Sequence, residues 1–336
     1  MTLVSRGKPL VLLVVLALAA ACSAPVDEEA QEDQTGPGPN LLEEGQDELN
    51  PRLQRGSTLP DHTLAWTIDD GPSPLGTGVN TQELARYLAS EGVPTTFFFV
   101  ASRLTNTRNM ADWRAKRFPR VTPKIDSVLD ELLTLPVIGT PLKHLVANHT
   151  FSHEAQITKL PESERVAEFI NASNLLRPYF RDGIRFLRTP YASWNDSVYD
   201  TLQATNTAKS YVGNIYWNAG GTLNCSYTTS GWDCDQPEVA GTVPSAADWA
   251  CWAPGKGRPA VSPSECAKGY LNYIEQRDRR GIVLMHDVNR KSVDMARVLI
   301  PQLKARGYSF VRLDQVPRLN AQLLTAGATP AAAVSP

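Results

Sequence analysis

Seven short apolar runs, at 64–68, 95–100, 144–147, 184–187, 210–212, 282–285 and 308–313, constrain this chain's fold more than any other feature. Each has the length of a strand, and such runs fit strands buried on both faces, as in a parallel sheet covered by helices. Helix-like segments lie between them, at 81–90, 122–135, 161–176, 262–279 and 292–306. Ser262-Pro263-Ser264-Glu265 combines a capping box with proline at the first helical position, and Thr122-Pro123 is a weaker version of the same start. Strand and helix in alternation imply an α/β fold with right-handed crossovers. Seven strands are enough for a closed or nearly closed barrel.

The two ends differ in composition from this pattern. Arg6 and Lys8 precede an apolar stretch at 10–21 and then Cys22, which is the layout of a secretory signal over residues 1–21. The run is too short for a membrane-spanning helix. Ala19-Ala20-Ala21-Cys22 resembles a bacterial lipobox, and the resemblance implies that Cys22 is lipidated and becomes the mature N-terminus. Residues 22–58 follow as a tether. Asp27, Glu28, Glu29, Glu32, Asp33, Glu43, Glu44, Asp47 and Glu48 give it charge without a Lys or Arg before Asn50, so it should stay solvated. The Ala/Pro-rich end, 321–336, is expected to be a disordered tail. One ordered domain, 59–320, remains. With a formal net charge of −2 there is no electrostatic basis for binding nucleic acid, and a monomer is expected.

Apart from Cys22 the chain has Cys225, Cys234, Cys251 and Cys266, an even set that in an exported chain reads as two disulfides. Three connectivities are open. Pairing neighbours, Cys225 with Cys234 and Cys251 with Cys266, closes the shortest loops and is preferred. A zinc knuckle would need a Cys-x-x-Cys pair, which is absent. These cysteines lie in a glycine-rich, aromatic insertion at 217–266. Its Trp217, Trp232, Trp249 and Trp252 either stack on sugar rings or form a local core. A second long connection, 103–143, carries the basic cluster Trp113-Arg114-Ala115-Lys116-Arg117.

Polar clusters sit just past the apolar runs: Asp69-Asp70, His149, Arg188, and His286-Asp287. In a parallel barrel all strand C-termini open on one face, so these groups should converge there. His149 and His153 are four apart, and on a helix they would share a face. One carboxylate added to them gives a two-His, one-Asp set that leaves a position for water, as catalytic zinc sites require. A pair of surface histidines is the bland alternative. No glutamate follows the first histidine, which excludes the zincin protease helix.

The elements Asp69-Asp70-Gly71-Pro72-Ser73, His149-Thr150-Phe151-Ser152-His153, Arg188-Thr189-Pro190-Tyr191 and Leu284-Met285-His286-Asp287 occur in one order. In these the chain resembles the polysaccharide deacetylases, the NodB-homology group of carbohydrate esterase family 4. The resemblance implies an α/β fold of the distorted (β/α) barrel type and one divalent metal, Zn2+ before Co2+ or Mn2+. It makes Asp70, His149 and His153 the metal ligands and Asp69 the general base. Arg188 would keep that base ionised and oriented, the backbone N–H of Tyr191 would stabilise the oxyanion, and His286 would be the general acid. Leu284 would line the pocket for the acetyl methyl. The family's Asp-Trp element, which orients the acid histidine, is best matched by Asp248-Trp249, with Asp233 beside Trp232 as the rival.

The function implied is metal-dependent removal of N-acetyl groups from an N-acetylglucosamine-containing polysaccharide, peptidoglycan or chitin-like, with release of acetate. An O-acetyl (xylan) esterase on the same fold and a non-catalytic carbohydrate-binding lipoprotein are the alternatives. An iron oxygenase shares the ligand types, but its usual His-x-Asp spacing is absent. The protein is expected to be exported, either lipid-anchored to the bacterial cell envelope at the outer membrane or cell surface, or secreted. Membrane contact is expected only through a lipidated Cys22.

Overall fold

The computed structural model describes residues 56–153, 156–220, 226–228, 231–233, 246–252 and 261–335. The leader, Cys22, most of the tether and the Cys225–Cys234 pairing lie outside these residues.

Strand β1 (Thr63–Gly71) is the spine of a parallel sheet. Helix α1 (Val79–Ser90) crosses from it to β2 (Thr96–Phe99). Helices α2 (Met110–Ala115) and α3 (Pro123–Thr134) then lead to β3 (Leu145–Asn148). Two more, α4 (Glu162–Leu176) and α5 (Asp196–Ala204), precede a small antiparallel hairpin, β4 (Ser226–Thr228) with β5 (Gly231–Asp233). Next come α6 (Asp248–Trp252), α7 (Pro263–Gln276), β6 (Gly281–His286) and α8 (Arg290–Ala305). Strand β7 (Ser309–Val311) and helix α9 (Pro317–Thr325) complete the order. The start signals work as their chemistry requires. Ser262 and Glu265 form the reciprocal capping box of α7, and Thr122 accepts from the Ile125 N–H at the start of α3.

The sheet runs β3-β2-β1-β6, all parallel. Beyond β3 the wall continues through single parallel bridges, Asn148 to Leu187 and Phe186 to Val212, and Ala219 bridges to Val283 of β6. The segment 211–219 therefore touches both neighbours: Ile215 N–H donates to Leu187 O, and Asn218 N–H to Ile282 O. The runs at 184–187 and 210–212 were expected as full strands and form bridges only. The run at 308–313 forms the short strand β7, which joins the same five-stranded sheet off the main row by pairing in parallel with the first residues of β1, Thr63 to Ala65.

Alternation along the strands sorts the core into two faces. Trp66, Ile68, Phe97, Phe99, Val146, Val283 and Met285 pack in one cluster with Leu84, Leu129, Tyr270 and Leu299 of the helices. Ala65, Phe98, Leu145, Ala147, Phe186 and Ile282 form the other, joined by Leu313, Val316, Leu319 and Leu323.

Both ends of the ordered domain extend further than expected. Gly56 is buried, its N–H donates to Asn218 Oδ1 at 3.0 Å, and a Cβ there would meet the Gly281 backbone at 2.8 Å. Folding therefore begins before Leu59. The tail is not disordered through residue 335. Helix α9 reaches Thr325 and buries Leu319 and Leu323. Beyond it Ala331 N–H donates to Asp314 Oδ2 at 2.7 Å and Val334 N–H to Gln315 O at 3.0 Å. The cause is Asp314, a buried carboxylate also gripped by Arg312 at 2.6 and 2.8 Å, which gives the Ala/Pro strand a fixed acceptor. No helix among the described residues is long and apolar enough to cross a membrane.

Candidate active site

Asp69 and Asp70 are adjacent on β1, and regular pleating would send their carboxylates to opposite faces. The register of β1 against β2 shifts between Ile68 and Gly71, and Asp70 has φ +70°. That irregularity, with a left-handed residue, turns Asp70 back toward the side where Asp69 already points. Arg103 donates from Nη1 to the Asp70 carbonyl at 2.7 Å and holds the turned peptide.

The two histidines converge without a helix. Residues 149–153 form a loop leaving β3, with Thr150 at φ +64° and His153 at φ +59°. Glu168 of α4 fixes this loop by accepting from the N–H groups of Phe151 and Ser152 at 2.8 and 2.9 Å and from Ser152 Oγ at 2.6 Å. His149 Nε2 lies 3.2 Å and His153 Nε2 3.0 Å from Asp70 Oδ1.

Asp70, His149 and His153 can present one ligand atom each, all within 4.8 Å of one another. His149 Nδ1 is 2.8 Å from the Arg188 carbonyl, an acceptor, so that nitrogen carries the proton and Nε2 keeps a lone pair. His153 Nδ1 lies 3.4 Å from the Tyr191 hydroxyl. Asp70 Oδ1 is buried without a satisfying hydrogen bond. Burial would raise the Asp70 carboxyl, yet His153, His149 and His286 around it hold it well below the usual carboxylate range. A buried carboxylate oxygen with two imidazole Nε2 atoms at 3.0 and 3.2 Å is a donor set that fits a divalent cation.

Asp69 is buried beside this set. Arg188 Nη1 donates to its Oδ1 at 2.6 Å and to Thr67 Oγ1 at 2.9 Å, and Arg188 Nε donates to the Ile215 carbonyl at 3.0 Å. The Arg188 guanidinium is fully buried over the Phe98 ring, 4.3 Å from its centroid. Asp69 Oδ2 is left facing His149 Nε2 at 3.7 Å. Tyr191 follows on a short turn at Pro190–Ala192 with φ +58°.

In the ladder, Asp69 is the partner of His286 and Thr67 of Leu284, two levels apart and so on the same face of one strand pair. Asp248 at the start of α6 holds His286 twice. Its Oδ1 is 2.8 Å from His286 Nδ1, and its Oδ2 accepts the His286 N–H at 2.8 Å. Ser292 Oγ donates to the same Oδ2 at 2.9 Å, and Trp252 Nε1 donates to Ser292 Oγ at 2.9 Å. Tyr270 OH donates to the Leu284 carbonyl and accepts from the Asp248 N–H. Burial alone would lower the His286 imidazole, but Asp248, and then Asp70 and Asp69, raise it to about 9. Cys251 and Cys266 form a disulfide that ties α6 to α7.

Leu284 is buried, and Trp249 beside Asp248 is half-buried. Trp252 is almost fully buried and packs in the interior, whereas Trp217 is partly exposed and stacks on Tyr216. The side chains of Trp232 and Asp233 lie outside the described residues. Asp287 does not start α8, whose cap is Asn289. It is buried instead, accepts from Thr81 Oγ1, and is pushed by burial up to about 7. Glu168, Tyr270, Ser292 and Arg103 are the supporting residues that sequence reasoning missed.

A family model described as polysaccharide deacetylase matches residues 56–209, the stretch that delivers Asp69, Asp70, His149, His153, Arg188 and Tyr191. Over that stretch the chain matches the polysaccharide deacetylase family. Chitin deacetylase 1 of Cryptococcus neoformans var. grubii is 26% identical over 251 residues, 74% of this chain but 42% of that protein. The chain thus spans less than half the length of that curated relative. Two solved structures share its fold. The chitin deacetylase of the fungal pathogen Colletotrichum lindemuthianum has 20% identity and a TM-score of 0.51, over 80% of this chain and 91% of the other. The Bc1960 peptidoglycan N-acetylglucosamine deacetylase has 21% identity and a TM-score of 0.50, over 80% and 94%.

Proposed function

We propose that the protein hydrolyses N-acetyl groups of an N-acetylglucosamine-containing polysaccharide, peptidoglycan or chitin-like, to acetate and a free amine. The observation that supports this is that Asp69, clamped by Arg188, and His286, clamped by Asp248, are ladder partners beside the Asp70-His149-His153 group. Asp70, His149 and His153 would hold a divalent cation, Zn2+ before Co2+ or Mn2+. When bound it would act as a Lewis acid and bring the pKa of a bound water down to about 7.

Arg188 occupies one oxygen of Asp69, so the other, on the His149 side, takes the proton from the attacking water. His286 donates its proton to the departing nitrogen. The backbone N–H of Tyr191 is assigned to the oxyanion, a role typically worth about 3 kcal/mol. Leu284 and Trp249 are assigned to the acetyl pocket. A monomer exported to the cell envelope, anchored through Cys22 or secreted, completes the reading. It is tested by quantifying metal in purified protein and measuring acetate release from chitin oligomers, peptidoglycan and acetylxylan side by side. Metal near one per chain with release from the first two supports the reading. Release from acetylxylan alone would make it an esterase, and turnover by metal-free protein would overturn the metal assignment.

A further inference from the structure

The basic cluster in the β2–α3 connection has no role in the site described so far. The connection leaves the C-terminal end of β2 and is bonded to the histidine loop: Ala101 N–H donates to Thr150 O at 3.0 Å and Ser102 N–H to Phe151 O at 2.8 Å. Three rings continue outward from that loop. Trp113 packs edge-on to Phe151 at 4.8 Å, and Phe118 packs edge-on to Trp113 at 4.5 Å. Phe118 is 59% exposed and is the only Phe, Tyr or Trp classed as exposed among the described residues. It and Arg117 are consecutive left-handed residues, φ +59° and +58°, a conformation unfavourable for non-glycine residues. An apolar ring is thus held open to solvent at a conformational cost.

Positive charge lies beside it. Several exposed cations elsewhere are paired, among them Arg86 with Glu131, Arg290 and Arg297 with Glu83, Lys304 with Glu91 and Arg279 with Asp61. On this ridge Lys116 is paired with Asp112, but Arg114, Arg117 and Arg120 are exposed with no carboxylate partner among the described residues. A guanidinium fork matches a carboxylate, and an aromatic face matches the apolar side of a pyranose.

We propose that Phe118, Arg114, Arg117 and Arg120 form a subsite for a carboxylate-bearing sugar of the polymer, adjoining the unit that enters the metal centre. The substrate is then an anionic N-acetylglucosamine polymer rather than neutral chitin. This rests on the deacetylase reading. An anionic membrane would meet the same cations, but the ridge is joined to the histidine loop on the catalytic face, which favours the polymer.

The test compares wild type with the triple variant Arg114→Gln, Arg117→Gln, Arg120→Gln, and separately with Phe118→Ala, each checked for an unchanged melting temperature. Acetate release is measured on soluble peptidoglycan fragments and on neutral chitin oligomers of equal length. The ratio of kcat/KM on the anionic to the neutral substrate should fall roughly tenfold in the triple variant, through KM, and wild-type KM on the anionic substrate should rise with salt. An unchanged ratio would overturn the proposal and leave the deacetylase reading standing. If wild type releases acetate from neither, that reading fails. Co-sedimentation of metal-free protein with insoluble peptidoglycan or chitin still reads the subsite, and equal binding by wild type and triple variant refutes it. Loss of binding to phosphatidylglycerol vesicles with no change on peptidoglycan would assign the ridge to a membrane instead.

Discussion

Asp248→Asn isolates what the buried carboxylate does for His286. The substitution keeps the size of the side chain and removes the largest contribution that raises the imidazole, while burial, which lowers it, stays. From about 9, the pKa is expected to fall by about 2 units, on the order of 3 kcal/mol between the two protonation states. A general acid acts in its protonated form, so turnover is lost as pH rises through its pKa. The alkaline limb of kcat should therefore move from near pH 9 to near pH 7, with roughly a tenfold loss at pH 8 and little loss at pH 6 beyond any effect on geometry. The amide also puts an NH2 group against either the His286 N–H or the protonated Nδ1, which costs about 1–3 kcal/mol of stability. Acetate release followed from pH 5 to 10 separates the two effects, because partial unfolding scales the whole profile without moving its limb. A limb that stays near pH 9 in the variant would refute the assignment of His286 as the acid and of Asp248 as its control.

Other consequences are as open to measurement. Asp287 is buried with a folded-state pKa of about 7, so the stability it contributes is present below about pH 4 and lost as pH rises through 7. In metal-free protein Asp287→Asn should therefore gain melting temperature over wild type at pH 8 but not at pH 4. A difference independent of pH would contradict this. Glu168→Ala strands two buried N–H groups, at about 1–3 kcal/mol each, and should weaken metal binding at least tenfold in a chelator competition; Glu168→Gln should recover most of it. The Cys251→Ser, Cys266→Ser double variant opens a loop of 15 residues and is expected to cost about 3 kcal/mol in denaturant unfolding.

The residues that the fold gathers at the candidate site were legible because their motifs sit at strand ends. The supporting residues were not. Glu168 lies within α4 and reads in sequence as a solvated helix charge, and only the path of the histidine loop makes it a buried acceptor. The approach of His149 to His153 came from two left-handed residues rather than helical spacing, and Asp70 reached the site through a shift in register. Four-residue spacing and strand alternation do not encode either device. Residues 184–187 and 210–212 have strand composition yet form single bridges, because 211–219 must serve both the Leu187 side and β6. The order of the Ala/Pro tail depends on Asp314, a distant acceptor that local composition does not reveal.

The wall of the barrel is uneven in a way that divides labour. Asp69 and His286 are partners in the continuous β1–β6 ladder, whereas Arg188 and Tyr191 follow a stretch joined to its neighbours by isolated bridges. Fewer backbone pairings fix that second stretch, so a substitution there disturbs less of the sheet. Variation that retunes what this scaffold accepts therefore has a place to accumulate away from the paired strands.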